Sequence, residues 1–96
     1  MASIGPDIWI RRYPMTAADW TLITVPSGIQ PHVADARNED AQDVLIRTDE
    51  TDPNTEDSIP AGFSRILQFS GRGQPRALFY AKPLAGVGPL IVVYTA

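Results

Sequence analysis

Ninety-six residues, 44% of them hydrophobic and 20% charged, suit one globular domain spanning 1–96. The absence of cysteine and the single histidine exclude a disulfide framework, a thiolate zinc site, a cysteine nucleophile and any two-histidine metal centre. Nine prolines and seven glycines favour short strands and turns, and no apolar run reaches the ~18 residues of a membrane-spanning helix.

Residues 1–7, Met1-Ala2-Ser3-Ile4-Gly5-Pro6-Asp7, lack the basic and apolar regions of a signal peptide. They are expected to form an extended arm on a protein made in the cytoplasm. Period-2 runs then follow one another to the end of the chain. Ile8-Trp9-Ile10-Arg11-Arg12-Tyr13 is closed by Pro14, and Trp20-Thr21-Leu22-Ile23-Thr24-Val25 by Pro26-Ser27-Gly28. The short run His32–Ala36 is poor in large side chains and suits a sheet edge. Val44–Thr48 leads into an acidic loop. Phe63–Phe69, Ala77–Ala81 and Pro89–Thr95 complete about seven short strands. Thr16–Asp19 and Asn38–Gln42 carry no helical apolar stripe and read as turns. The expected fold is therefore all-β, a two-layer β-sandwich or jelly-roll-like small barrel. Its core should hold Leu22, Val44, Ile46, Leu67, Phe79 and Val92. Apolar side chains on both faces of Leu90–Tyr94 place that strand between layers or under a neighbouring subunit.

Val25-Pro26-Ser27-Gly28-Ile29 and Ile59-Pro60-Ala61-Gly62-Phe63 share a turn pattern, with proline at the second position and glycine free to take positive φ two places on. Their flanks do not align, so two independent turns explain them better than a duplication.

Charge is unevenly placed. Residues 1–34 sum to zero, residues 35–57 hold nine acids against Arg37 and Arg47 (−7), and residues 58–96 hold Arg65, Arg72, Arg76 and Lys82 without an acid (+4). The acidic and basic segments either neutralise each other within one fold or meet head to tail between subunits. A small core without disulfides benefits from oligomerisation, so a homo-oligomer is expected, a trimer by preference. In it, Arg11, Arg65, Arg72 and Arg76 would meet acids such as Asp49, Asp52 and Asp57 of a neighbour. Trp9, Arg11 and Tyr13 lie on one strand face with an interface-like composition. Nucleic acid is an unsuitable partner for a chain of pI near 4.8.

No residues assemble into a recognisable catalytic, cofactor or metal motif. Asp49–Asp57 lacks the glycine and twelfth-position glutamate of a calcium loop and reads as a solvated turn. His32 near Asp35 has no nucleophile elbow to serve. Gly71-Arg72-Gly73-Gln74-Pro75 lacks the length of a phosphate loop and reads as a hairpin tip. The aromatic residues read mainly as core.

The stretch Val44-Leu45-Ile46-Arg47-Thr48-Asp49, the turn Asp52-Pro53-Asn54-Thr55-Glu56-Asp57 and the lead Ile59-Pro60-Ala61-Gly62-Phe63 together resemble small virion accessory proteins of tailed bacteriophages. Ala85-Gly86-Val87-Gly88-Pro89 before an apolar strand is similar to their C-terminal end. The resemblance implies a non-enzymatic β-sandwich that decorates or cements the capsid lattice, often as a trimer. Its partner would be the major capsid protein or another virion protein, and its place the virion, assembled in the host cytoplasm. The alternative is a carbohydrate- or peptide-binding β-sandwich, whose mark is an exposed aromatic pair lining a groove.

Overall fold

Alternating side chains sort themselves onto two inner faces in the computed structural model, which describes residues 8–69 and 77–95. Eight strands form: β1 (Ile8–Thr16), β2 (Thr21–Thr24), β3 (Val33–Arg37), β4 (Val44–Arg47), β5 (Glu56–Ile59), β6 (Ser64–Gln68), β7 (Ala77–Pro83) and β8 (Val87–Thr95). They make two antiparallel sheets, ordered β1-β8-β3-β6 and β2-β7-β4-β5. The expected all-β sandwich is the observed architecture. Ala17-Ala18 forms a turn between the bridged Thr16 and Asp19, residues 40–42 bend, and neither stretch is helical, as read.

The inner faces follow from the registers. Leu90, Val92 and Tyr94 of β8 point inward beside Tyr13, Arg11 and Trp9 of β1 on one side and Ala36 and Ala34 of β3 on the other. Opposite them, β7 contributes Phe79 and Ala81, β2 Ile23, β4 Val44 and Ile46, and β5 Ile59. Leu90, Val92, Tyr94, Ile23, Val44 and Ala81 are almost wholly inaccessible, and burial of each aliphatic Leu, Val or Ile among them contributes about 1.5–3 kcal/mol. Of the expected core, Val44, Ile46, Phe79 and Val92 are buried and Leu67 packs against it half-buried.

Leu22 is the exception: it is 41% exposed, while Ile23 is sealed. The register pairs Ile23 with Phe79 and Leu22 with Tyr80, so Leu22 shares the outer face with Trp20. Trp20 finds its cover there, with the Arg47 guanidinium 4.7 Å and the Lys82 ammonium 4.8 Å from its ring centroid.

Three further expectations are corrected. β3 is interior to its sheet, between β8 and β6. Its small Ala34 and Ala36 leave room for their large neighbours Tyr94 and Val92, a volume match that an edge does not require. Pro14 does not close β1, which runs on to Thr16 with Pro14 opposite Pro89. β1 is an edge strand and β3 stops opposite Ile91, so neither proline has strands on both sides. β5 makes an eighth strand from the acidic sequence Glu-Asp-Ser-Ile, of which Ile59 alone is buried. The arm expected at 1–7 lies outside the described residues.

Gly28 and Gly62 adopt φ of +88° and +79°, as the shared turn pattern requires. At the second turn the Phe63 N–H donates to Pro60 O at 3.0 Å, which puts the proline one position earlier than read, ahead of Ala61-Gly62.

Asn38, fully buried just past β3, holds this turn in place. Its backbone N–H donates to Phe63 O and its carbonyl accepts from Gly62 N–H, both at 2.9 Å. Its side-chain amide donates to Gln42 O at 2.7 Å and Ile59 O at 2.8 Å, while Oδ1 accepts from Asp40 N–H at 3.0 Å. Asn38→Ala orphans these groups and is expected to cost about 2–4 kcal/mol. In a chain this size that is a fall in melting temperature of at least ~8 °C, readable by circular dichroism; a fall under ~2 °C would refute the assigned role.

Candidate interaction surface

The outer face of the first sheet mixes apolar and charged side chains. The register sets Ile10, Val93, Asp35 and Ile66 side by side across all four strands, and Arg12, Ile91, Arg37 and Ser64 in the adjoining row. Ile8 and Ile10 are each 59% exposed and Ile66 62%. Exposed Phe63 stands at the foot of β6. These exposed isoleucines stand on the two edge strands of the sheet, β1 and β6, with buried Ile91 and the Asp35–Arg37 pair between them, and they are the apolar area this face offers to a contact.

Asp35 sits in the middle of this face. Its Oδ2 accepts from Arg37 Nε at 2.9 Å, while Oδ1 is buried without a hydrogen-bond partner. Arg12, on the same face, is exposed and forms no ion pair among the described residues. Nearby Asp40 is engaged locally, its oxygens accepting from Ala41 N–H at 2.7 Å and Gln42 Nε2 at 3.2 Å.

Trp9, Arg11 and Tyr13 do share a strand face, but it is the inner one. Trp9 and Tyr13 pack against the core, and exposed Arg11 turns back to donate to Ile10 O at 3.1 Å. The tyrosines link the two sheets: Tyr13 OH donates to Thr24 O at 2.6 Å and lies 2.5 Å from Tyr94 OH, which is itself 3.3 Å from Thr24 O. Thr24 adjoins the break in register between β2 and β7. Either hydroxyl can donate in the Tyr13–Tyr94 contact, and both are within reach of the Thr24 carbonyl.

Among the described residues, three of the nine acids of the acidic segment are paired with arginine inside the chain. Arg65 Nη2 meets Asp57 Oδ2 at 2.5 Å, joining the edge strands of the two sheets, and Arg47 Nη2 meets Glu56 Oε1 at 2.8 Å. Asp49 Oδ1 accepts from Thr51 N–H at 3.0 Å and Thr51 Oγ1 at 2.8 Å. Asp52 caps the single 3-10 turn, Pro53–Thr55, by accepting from Asn54 N–H. Between Arg65 and the core residues Ile46, Leu67 and Phe79 lies an open cleft of about 210 Å³. Arg72 and Arg76, like the Gly71–Pro75 hairpin tip, lie outside the described residues. His32 is exposed and engaged through its backbone, donating to Thr95 O and accepting from Phe69 N–H, both at 2.8 Å. Among the described residues no three His, Cys, Asp or Glu converge on one point as metal ligands would.

Phe63 is the one exposed aromatic residue; the other seven are buried or half-buried, so no exposed pair lines a groove. No known protein family, curated protein or solved structure matches the chain.

Two sets of titrations follow from this geometry. Burial raises Tyr13 and Tyr94 above the ordinary tyrosine value of 10.0, Tyr94 far above it. A hydroxyl that ionises later in the folded chain gives stability that is complete below pH 10 and lost as the pH rises further. Alkaline unfolding is therefore expected to begin just above pH 10, tracked by tyrosinate absorbance. Tyr94→Phe should lower stability at neutral pH by about 1 kcal/mol yet flatten that alkaline slope. At the acid end, hydrogen bonds from Arg65 and the Ser58 N–H hold Asp57 below its ordinary value. Its contribution is present above pH ~4 and lost as the pH falls through the lowered value. Arg65→Met should accordingly make the acid limb shallower; an unchanged limb would show that the pair is not felt.

Proposed function

We propose that this chain is a non-catalytic structural protein that works by protein–protein contact through the outer face of its first sheet. The exposed isoleucines of the edge strands β1 and β6 on that face carry the reading, because water-exposed apolar side chains are stabilised by being covered. The turns that resemble those of small tailed-phage accessory proteins point to the assembly concerned: a virion. Decoration or cementing of the capsid lattice fits best, with the major capsid protein or another virion protein as partner. The carbohydrate-binding alternative has less support, since Trp20 is occupied by Arg47 and Lys82 and Phe63 has no exposed aromatic companion.

Co-sedimentation with tailed-phage shells stripped of accessory proteins tests this reading beside a glycan array. The protein is expected to pellet with shells, and Ile66→Lys to cut retention at least ~10-fold while leaving the strand spectrum unchanged. Glycan binding without shell binding would replace the proposal with the alternative.

A further inference from the structure

We infer that β6 is a strand-addition site: an extended segment of a partner protein, carrying an apolar residue and an acidic one two places on, pairs antiparallel with its open edge. The inference goes beyond the outer-face contact, which is read from side chains standing above the sheet. This site lies in the plane of the sheet, along its rim.

The registers show which backbone groups of β6 are open. At the two ends of its pairing with β3, Asn38 N–H donates to Phe63 O at 2.9 Å and Phe69 N–H donates to His32 O at 2.8 Å. Odd-numbered residues of β6 therefore bond to β3, Arg65 with Ala36 and Leu67 with Ala34. By alternation Ser64, Ile66 and Gln68 turn their N–H and C=O groups to the free side, and none of the three makes a further hydrogen bond among the described residues. An extended backbone is the partner that offers acceptors and donors in the matching order.

The other edges, β5, β1 and β2, are blunted. On β5, Glu56 N–H donates to Pro53 O and Ser58 N–H to Asp57 Oδ1 at 2.8 Å, while Ser58 O accepts from Arg65. β1 has Pro14, without an N–H, and Arg11 Nη1 covers Ile10 O. β2 is short, its register breaks after Ile23, and Thr24 O is taken by Tyr13 OH. Natural sheets close their edges by such means. β6, Ser-Arg-Ile-Leu-Gln, has no proline, no break in register and no bond across its open side among the described residues.

Side chains set what the incoming strand carries. Directly opposed residues point to the same side of a sheet, so those opposite Arg65 and Leu67 face inward, where the cleft of about 210 Å³ opens beside Ile46, Leu67 and Phe79. The residue opposite Leu67 is therefore apolar. Arg65 sets the other position. Its hydrogen bonds to Asp57 and Ser58 O both leave from Nη2, and its Nε and Nη1 donate to no group among the described residues. An inward charge on an edge turns away strands that bring nothing to meet it, and a carboxylate opposite Arg65 meets it through those free N–H groups. The antiparallel direction puts the apolar residue first and the acid two places later.

The test is a titration of the whole chain with the capped peptide acetyl-Thr-Thr-Leu-Thr-Glu-Thr-Thr-amide, carrying a dye and read by fluorescence polarisation. Saturable binding with Kd below ~1 mM is expected. Methylating the backbone nitrogen of the central threonine, which faces Ile66, should weaken binding at least ~10-fold. Methylating that of the leucine, which points away from β6, should cost under ~3-fold. Ile66→Pro is tolerated on an edge whose N–H faces outward and should also weaken binding at least ~10-fold. Replacing the peptide's glutamate by lysine should weaken binding at least ~5-fold, and under ~2-fold when the chain carries Arg65→Met. No saturable binding by ~1 mM, equal binding of the two methylated peptides, unchanged binding by folded Ile66→Pro, or a lysine penalty indifferent to Arg65→Met would each overturn the inference. Should Ile66→Pro not fold, the methylated peptides decide, since they leave the chain untouched. Shell retention without peptide binding would overturn the inference and leave the outer-face reading standing; peptide binding by a chain that ignores shells would do the reverse.

Discussion

The bonding of one buried amide holds the sandwich in its present form. Asn38 stands where the chain leaves β3 of the first sheet for β4 of the second, and every polar atom of its side chain is matched. An asparagine buried this deeply is tolerated only because it closes two carbonyls and one N–H that the crossing itself exposes. Through Ile59 O it holds the end of β5, and through its backbone it holds the Pro60–Phe63 turn that delivers β6 to the edge of the first sheet. β3 and β6 carry half of the first sheet's outer face. The position of Asp35 on that face is thus a distant result of how a loop amide is satisfied.

The two long sides of the sandwich are closed by different chemistry. On the β1–β2 side, two tyrosine hydroxyls converge on the carbonyl of Thr24, partly shielded from water. On the β5–β6 side, Arg65 and Asp57 meet in the open, where an ion pair contributes little and is screened by salt. The tyrosine side is therefore the firmer closure, and the β5–β6 side, with its open cleft, is the one that yields first under strain.

Strand alternation made most of the architecture readable before any coordinates, since inward Val44, Ile46, Phe79 and Val92 are spaced as the pattern demands. What escaped depended on neighbours distant in sequence. Nothing local tells Leu22 from Ile23; the cations that cover Trp20 come from β4 and β7 and decide which parity of β2 faces out. β5 hides in an acidic stretch because one buried residue, Ile59, suffices for an edge strand. Asn38 resembles any loop asparagine until its partners at 42 and 59 are folded against it. The charge asymmetry was legible, and among the described residues one ion pair, Arg65–Asp57, joins the basic segment to the acidic one inside the chain. On the interaction surface, the sequence indicated β1 but led to its Trp9–Tyr13 face. The side left uncovered is the opposite one, with Ile8, Ile10 and Arg12, and only the placement of β2 and β7 across the core separates the two.

The central place of β8 governs how the chain must fold. Its partners are β1, some eighty residues earlier, and β3, some sixty earlier, so the middle of the first sheet contains no local pairing. Closing such long loops costs chain entropy before any contact rewards it, and topologies of this kind fold slowly. The β4–β5 pairing spans only a short turn and is the natural early structure; the first sheet waits for β8 to slot between strands already in place. Until it does, β1 and β3 both present bare edges, and the time before that insertion is when the chain is most exposed to aggregation.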